Sequence, residues 1–315
     1  MGTRIIDPQP LIFDHAAQFF TVTDPNLAEL VDLWSKKGLV RQWHGQIGEL
    51  EAGGHFVPFP PSPPRYVGVN GMRPLAESIL SETSMVNVVR PCWVSTLEPY
   101  NGKWYLSEKG KPCGHFDAIV IAHNGKCANR LLASSGLPLI ARQMKRLHLS
   151  SIWALLAAFD DPLPMISIES AIPFEGAFVK GVDSLSWMAN NTAKLSGLQS
   201  KGPQCWTFFS TAAFGKQNKV PQESVPSTTA EKVKEAMLEG VEIALGLQRT
   251  HLKDILQSIT VMIADYLQSG GTCPDEFAVG LHNEFQPVKG HDIGQFPGLD
   301  SEGQINKACD IQLTM

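Results

Sequence analysis

The run Phe116-Asp-Ala-Ile-Val-Ile-Ala122 is apolar at every position but one, and no other feature restricts the fold as much. A half-buried strand alternates apolar and polar residues, whereas an unbroken apolar strand needs cover on both faces, as in a parallel sheet beneath helices. After Pro138 the pattern changes. Ser151 to Phe159, Ala177 to Val182, Ser184 to Ala189 and Cys205 to Ser210 are strand-like runs separated by Gly, Pro and Asn turns, which predicts a largely antiparallel sheet. The chain therefore reads as two structural regions, one α/β and one α+β. Its 315 residues are enough for about two domains with a sizeable core.

Two helices carry clear signals. Asp24-Pro25 ahead of Leu27, Leu30, Val31 and Trp34 supplies an N-cap, a first-turn proline and an apolar stripe, with Gly38 as the stop. Thr228 with Glu231 forms a capping box, and Val233, Ala236, Met237, Val241, Ala244 and Leu245 line one helical face up to Gly246. Further helices are predicted across Leu75, Ala76, Ile79 and Leu80 and from about Cys127 to Ser134. Strands are predicted at Leu39 to Trp43, Gly54 to Pro58, Val86 to Val94 and Lys103 to Leu106. The prolines from Pro58 to Pro64 make a connector, within which Pro60 to Arg65 also satisfies the PxxPxR pattern that SH3 domains read. From Thr250 a weak helical pattern reaches Leu267, and the remainder is rich in Gly and Pro without a sustained period, so an irregular tail is expected.

Composition excludes several classes. An apolar fraction of 43% and a charged fraction of 18% exclude global disorder. With 26 Lys and Arg against 31 Asp and Glu, the net charge of -5 leaves no general basic field, so nucleic acid is not an expected partner. The longest near-continuous apolar stretch, Ile152 to Phe159, is far short of the roughly 18 residues of a membrane span. Six widely spaced cysteines without a CxxC pair, behind a start that lacks a secretory pattern, predict a reducing, cytoplasmic setting. Cys273, His282, His291 and Cys309 match no common zinc spacing, so no metal is expected. The motifs GxGxxG, GxxxxGK[ST], HExxH and GxSxG are absent. His15, His44, His115, His123 and His148 are isolated in sequence, and Trp34, Trp43, Trp93, Trp104, Trp153, Trp187 and Trp206 are expected to fill core.

The run Phe13-Asp-His-Ala-Ala-Gln-Phe-Phe20, with Thr21 and the helix from Asp24, resembles the FDxGAQxFT segment of renalase-like FAD-dependent oxidoreductases. Tyr66-Val-Gly-Val-Asn-Gly-Met72, Val94 with Leu97, Trp104 with Leu106, and Phe116 to Ala122 continue the likeness in order. So do Ser184-Leu-Ser-Trp-Met-Ala-Asn-Asn191 with Lys194, Trp206 with Ser210, and Ala244-Leu-Gly-Leu247. His123-Asn-Gly-Lys126 is closest to the plant homologues. The resemblance covers residues 1 to about 248 and implies an amine-oxidase-like flavoprotein: an incomplete Rossmann-type FAD-binding domain interleaved with a mixed, largely antiparallel-sheet substrate domain. The implied division is 1–38 and 66–136 for the partial FAD-binding domain, 39–65 and 137–248 for the substrate domain, and 249–315 for a divergent irregular tail. FAD is the implied cofactor, and a reduced nicotinamide dinucleotide the implied small-molecule substrate, with oxygen as acceptor. By likeness, Arg4 meets the FAD pyrophosphate, Ala17 and Gln18 lie against the flavin, and Val94 meets adenine through its backbone. No catalytic side chain is implied, because hydride transfer to a flavin needs no general base.

The chain also departs from the family. It opens after the expected first strand, GxGxxG turn and helix, whose glycines and helix N-terminus form the principal phosphate site, and Ala16 replaces a common glycine beside Gln18. The GD motif and VEGA-like segment are not found after Leu247. Two readings follow. One is an FAD-dependent oxidase; the other is a truncated, non-catalytic isoform that binds a protein partner through an exposed sheet edge or through Pro60 to Arg65. A longer plant isoform is expected in the chloroplast.

Overall fold

The computed structural model describes residues 2–7, 11–82, 84–122, 125–144, 149–164, 173–195, 202–221, 224–267, 278–280 and 311–314. Strands β1 (Thr3–Ile6) and β2 (Leu11–Asp14) pair antiparallel. β3 (Phe19–Val22) leads to α1 (Pro25–Lys36), where the Asp24 side chain accepts from the Leu27 amide and Gly38 adopts a φ of +71° beyond the helix end. β4 (Val40–Gln42), β5 (Gln46–Glu51), β6 (His55–Pro58), β7 (Tyr66–Gly68) and α2 (Met72–Ser81) follow. Then come β8 (Thr96–Tyr100), β9 (Lys103–Glu108), β10 (Lys111–Phe116), α3 (Gly125–Leu132) and α4 (Pro138–Met144).

The second half contributes β11 (Leu149–Phe159), β12 (Phe174–Lys180), β13 (Trp187–Asn190), α5 (Asn191–Lys194), β14 (Gln204–Phe209), α6 (Ala212–Gln217) and α7 (Ser227–Leu245). The chain continues through α8 (His251–Ile255), β15 (Leu256–Leu267), β16 (Ala278–Gly280) and β17 (Ile311–Thr314).

Seven strands form the largest sheet, in the order β15-β11-β14-β13-β12-β5-β6. All its pairings are antiparallel except β12 with β5, so the sheet is mixed and largely antiparallel, as its turn-separated runs predict. Both faces are covered. Along β11, Trp153, Leu155, Ala157 and Phe159 join the core beneath Val233, Met237, Val241 and Ala244 of α7. The alternate residues Ile152 and Ala154 meet Trp43, Phe178 and Trp187, and Leu156 and Ala158 meet Leu11 and Phe13 of β2. A period of two thus feeds two cores from one strand.

A second sheet has the order β16-β17-β3-β7-β4, and beside it α1 and α2 share a smaller core of Phe20, Leu27, Val31, Val40, Met72 and Leu75. Val40–Gln42 pairs with Tyr66–Gly68 in this sheet, whereas the neighbouring β5 and β6 belong to the large one. Strands β8, β9 and β10 form a separate antiparallel meander.

Four local expectations are corrected. Val86 to Val94 is not a strand, and no sheet of the described residues includes it; Pro91 has no N–H for a ladder, and Trp93, expected in a core, is 61% exposed. Asp117 to Ala122 likewise runs outside any sheet, with Val120 89% exposed. The pairing of β10 with β9 ends at Phe116 opposite Trp104; beyond it the apolar run has no partner strand among the described residues. The weak helical pattern before Leu267 is instead β15, paired with β11 from Leu256 opposite Phe159 to Leu267 opposite Leu149. Its β-branched Ile259 and Thr260 favour a strand once a ladder is offered. Finally, α7 begins at Ser227 with Pro226 as N-cap and no side-chain capping bond, so Thr228 lies within the first turn and the capping box is not made. At the other end Gly246 takes the left-handed conformation, with a φ of +69°, and the Leu247 amide reaches the Glu242 carbonyl at 2.8 Å, a Schellman ending.

Candidate functional site: a buried polar node

The elements that meet at β2 bring six polar residues, Thr3, Asp14, Gln18, Asn191, Lys194 and Thr207, into one buried node. Asp14 closes β2, whose apolar neighbours Leu11 and Phe13 are drawn into the core against Leu156 and Cys205. Its side chain has no solvent exposure, and nor has that of Lys194 at the end of α5, whose ammonium lies 2.9 Å from Asp14 Oδ2. Asp14 Oδ1 accepts from the Thr3 hydroxyl at 2.6 Å and from the Met72 amide at 3.0 Å, while the Arg73 amide donates to Thr3 Oγ1 at 2.9 Å. Asp14 and Thr3 thereby satisfy the first amides of α2, where the positive end of the helix favours a carboxylate.

The backbone of Asp14 is engaged too. Its amide donates to Asn191 Oδ1 at 3.0 Å, and its carbonyl accepts from Gln18 Nε2 at 2.7 Å and from Thr207 Oγ1 at 3.0 Å. Asn191 Nδ2 closes the ring by donating to Thr207 Oγ1 at 2.8 Å. Gly71 makes this packing feasible: its φ is +103°, and a Cβ there would stand 2.7 Å from Thr3 Oγ1 and 3.1 Å from Asp14 Oδ1.

Lys194 also donates to the carbonyl and Oε1 of Gln18, at 3.3 and 3.4 Å, and sits 5.6 Å from the centre of the Trp43 ring, a cation–π contact. Arg41 donates to the Lys194 carbonyl. Burial pulls the Lys194 ammonium below its ordinary pKa, Asp14 opposes that shift, and Arg41 adds to it. His15, next to Asp14, is also lowered, chiefly by burial, with the positive charge of Arg4 contributing.

Beside the node lies an aromatic face. Phe19 and Trp43 meet edge to face at 5.9 Å, Phe178 and Trp187 at 4.6 Å, and the Arg65 guanidinium stands 5.9 Å from the rings of both Phe19 and Phe59. Trp43 Nε1 donates to Glu175 Oε2 at 2.5 Å. The indole N–H of Trp187 is buried without a hydrogen-bond partner among the described residues, an uncompensated donor on an otherwise apolar wall.

The four residues singled out in the sequence fall in different surroundings. Ala17 is buried with Val31, Met72 and Leu75. Gln18 is fully buried within the node, its two amide hydrogens on the carbonyls of Asp14 and Ala16, so its rigid position, not a free donor, is what it presents to a neighbour. Arg4 occupies the exposed face of β1. Val94 is half-buried in the segment outside any sheet, next to Ser95, whose amide donates to the Ser107 carbonyl at 2.8 Å. Ala17 and Gln18 thus come together, and Arg4 and Val94 do not join them in the node. Asp14, Asn191, Lys194 and Thr207 escape the sequence analysis as site residues; the one usable signal was Asp14, a lone acid after the apolar run Leu11 to Phe13.

The FAD implied by the sequence likeness carries a pyrophosphate. A pyrophosphate needs free amides at a helix N-terminus or a glycine-rich turn. The N-terminus of α1 is closed by Asp24 and that of α2 by Asp14 and Thr3. That of α7, after Pro226, has no side-chain cap, whereas the polar groups of the node are turned on one another. The zinc spacing Cys273, His282, His291 and Cys309 lies outside the described residues, as do His123 and His148; no group of three metal-ligating side chains occurs among those described. No described helix is long and apolar enough to cross a membrane.

No family model matches the chain, and no curated protein does. Solved structures are similar to it. Wild-type putrescine oxidase bound to putrescine superposes with a TM-score of 0.54 at 9% identity, over 82% of this chain and 75% of that one. A double mutant of the same enzyme gives 0.53 at 10% identity, over 82% and 76%. A protoporphyrinogen oxidase from Exiguobacterium gives 0.48 at 12% identity over 69% of this chain and 44% of that one, so this chain spans less than half of that enzyme's length. At such identities the likeness is one of fold: the mixed α/β and α+β arrangement described above is similar to that of the putrescine oxidase structures.

Proposed function

We propose that this chain is an FAD-dependent oxidoreductase of the renalase-like type, which oxidises a reduced nicotinamide dinucleotide with oxygen as acceptor. One observation carries the reading. The putrescine oxidase likeness extends over 82% of the chain, and within that fold Phe13 to Gln18, the segment that resembles the flavin-facing stretch of renalase-like enzymes, is held rigidly by a buried node instead of lying in a loose loop. The bound flavin would supply the redox chemistry. The protein's own part is positional: Lys194 and Asp14 fix the Ala17-Gln18 backbone, and the aromatic face of Phe19, Trp43, Phe178 and Trp187 gives a planar ring an apolar wall from which water is excluded. Arg4, Ala17, Gln18 and Val94 remain the proposed cofactor contacts. Because the redox chemistry would be the flavin's, no chemical step falls to a particular side chain.

A second reading has its own support. Val86 to Val94 and Asp117 to Ala122 carry strand sequences yet lie outside any sheet of the described residues and are largely exposed, which favours a non-catalytic chain that binds a protein partner along an unfilled sheet edge. The visible spectrum of the purified protein after addition of FAD, with the flavin-to-protein ratio, separates the two. A ratio near one flavin per chain, with peroxide formed from reduced nicotinamide dinucleotide, supports the oxidase. A folded chain that retains no flavin rejects it.

A further inference from the structure

The turn between α3 and α4 opens a cleft of about 630 Å³, a size usual for a small-molecule site. Helical spacing builds both of its walls. Asn129 and Leu132 of α3, with Ala133 directly after it, stand at i, i+3 and i+4, and Pro138, Ala141 and Arg142 of α4 repeat that spacing, so each helix presents one face to the same space. The turn is fixed from within. The buried Ser135 hydroxyl donates to the Leu132 carbonyl at 2.7 Å, which closes the end of α3, and Gly136 reverses the chain at a φ of +72°. The walls are mainly apolar, through Leu132, Leu137, Pro138 and Ala141, and two polar groups interrupt them. Asn129 Oδ1 is buried without a hydrogen-bond partner among the described residues, an acceptor that no protein group satisfies. Arg142 is exposed and its guanidinium has no ion-pair partner among the described residues. No residue of the node, of the aromatic face or of the proposed cofactor contacts lines this cleft.

We propose that the cleft between α3 and α4 is a binding site for a small organic acid that has an apolar body and carries a hydroxyl or amino donor, separate from the site of oxidation. Arg142 takes the carboxylate. A guanidinium offers two parallel N–H donors that match the two carboxylate oxygens, and its fixed charge balances a monoanion one to one. A phosphate dianion is the poorer match, because Arg142 is the one charged residue of the lining. Leu132, Leu137, Pro138 and Ala141 cover the apolar body and exclude water from it. The donor goes to Asn129 Oδ1. Asn129 is half-buried and its amide rotates on a broad terminal torsion, so the oxygen turns to a donor that enters the cleft and gains the hydrogen bond the free protein leaves unmade. Discrimination follows from the same two groups: an acid without the donor leaves Asn129 unsatisfied, and a neutral analogue leaves Arg142 unmatched.

The test titrates the full chain, with and without added FAD, with three probes and reads binding by calorimetry and by amide chemical shifts. The probes are 3-(4-hydroxyphenyl)propionate, 3-phenylpropionate, which lacks the donor, and 3-(4-hydroxyphenyl)propan-1-ol, which lacks the charge. The hydroxy acid is expected to bind more tightly than either of the others, with shifts confined to residues 129–142 and the same affinity whether or not flavin is present. Arg142→Gln should weaken both acids about tenfold and leave the neutral alcohol unchanged. Asn129→Ala should bring the hydroxy acid down to the affinity of 3-phenylpropionate. No binding of the hydroxy acid at millimolar concentration, equal affinities for all three probes, shifts centred elsewhere in the chain, or an Arg142→Gln protein that binds the acids undiminished each overturns the proposal. The three-probe series on the unmodified chain decides it if a variant fails to fold.

Discussion

Two stretches of this chain carry equally strong strand signals and meet different ends. Cys205 to Phe209 lies between two neighbours and is buried on both faces, with Trp206 wholly enclosed. Val86 to Val94 is richer in β-branched residues, yet it lies outside any sheet of the described residues and leaves Val89 and Trp93 in water. A strand is not a local property. Its backbone groups need a ladder on at least one side and its side chains need a covering layer, and a sequence rich in Val or Trp can only make itself available to them.

The contrast can be broken most forcefully at the tryptophans. Trp206→Ala should cost about 3 to 5 kcal/mol in urea unfolding, the usual loss for a large core residue, whereas Trp93→Ala should stay within about 0.5 kcal/mol. Equal losses would mean that residues 84–95 are packed after all.

The buried node should respond on a similar scale. Lys194→Met or Asp14→Asn alone leaves the other member of the pair unmatched, at about 3 to 5 kcal/mol each, while the double substitution should recover much of that loss. Additive losses in the cycle would show that the two do not act as a pair. The pH dependence sharpens the point. The folded-state pKa of Lys194 lies below its ordinary value of 10.5, so over that interval the unfolded chain holds the extra proton. The contribution of Lys194 to stability therefore grows as pH rises from the folded value toward 10.5 and is lost as pH falls. Lys194→Met should flatten that rise.

His15 gives a smaller effect of the same sign at lower pH. Its folded pKa lies below 6.5, so its contribution is complete above that value and disappears as the pH falls through the folded pKa. In acid titrations followed by circular dichroism, His15→Asn should remove this part of the acid sensitivity. Smallest of all is the comparison of the two helix starts. Asp24→Ala should cost about 1 kcal/mol because its carboxylate caps α1. Thr228→Ala should be nearly neutral, since α7 has no side-chain cap.

Much of the fold was legible from local chemistry. Asp24, Pro25 and Gly38 bound α1 where their φ preferences and hydrogen-bonding side chain dictate. The apolar face ending at Gly246 marked α7, because a 3.6-residue period and a left-handed C-cap are both local signals. The turn-separated runs after Pro138 marked the large sheet. Less of the site was visible. Ala17 and Gln18 stood out through likeness to a flavoenzyme segment, but Lys194 is 180 residues beyond Asp14, and no spacing rule joins them. The weak helical pattern before Leu267 was misleading because its strand character is realised only beside β11.

The sequence by itself determined the periods, the caps, the absence of a basic field and the list of residues able to carry charge, all of which depend on neighbours a few positions apart. Tertiary structure alone decided which strand-like runs became strands and that Asp14 and Lys194 share one dry site. The physical reason is common to both. Ladder partners, desolvation and side-chain contacts across long loops are set by where distant segments pack, and that is fixed only when the layers close on one another.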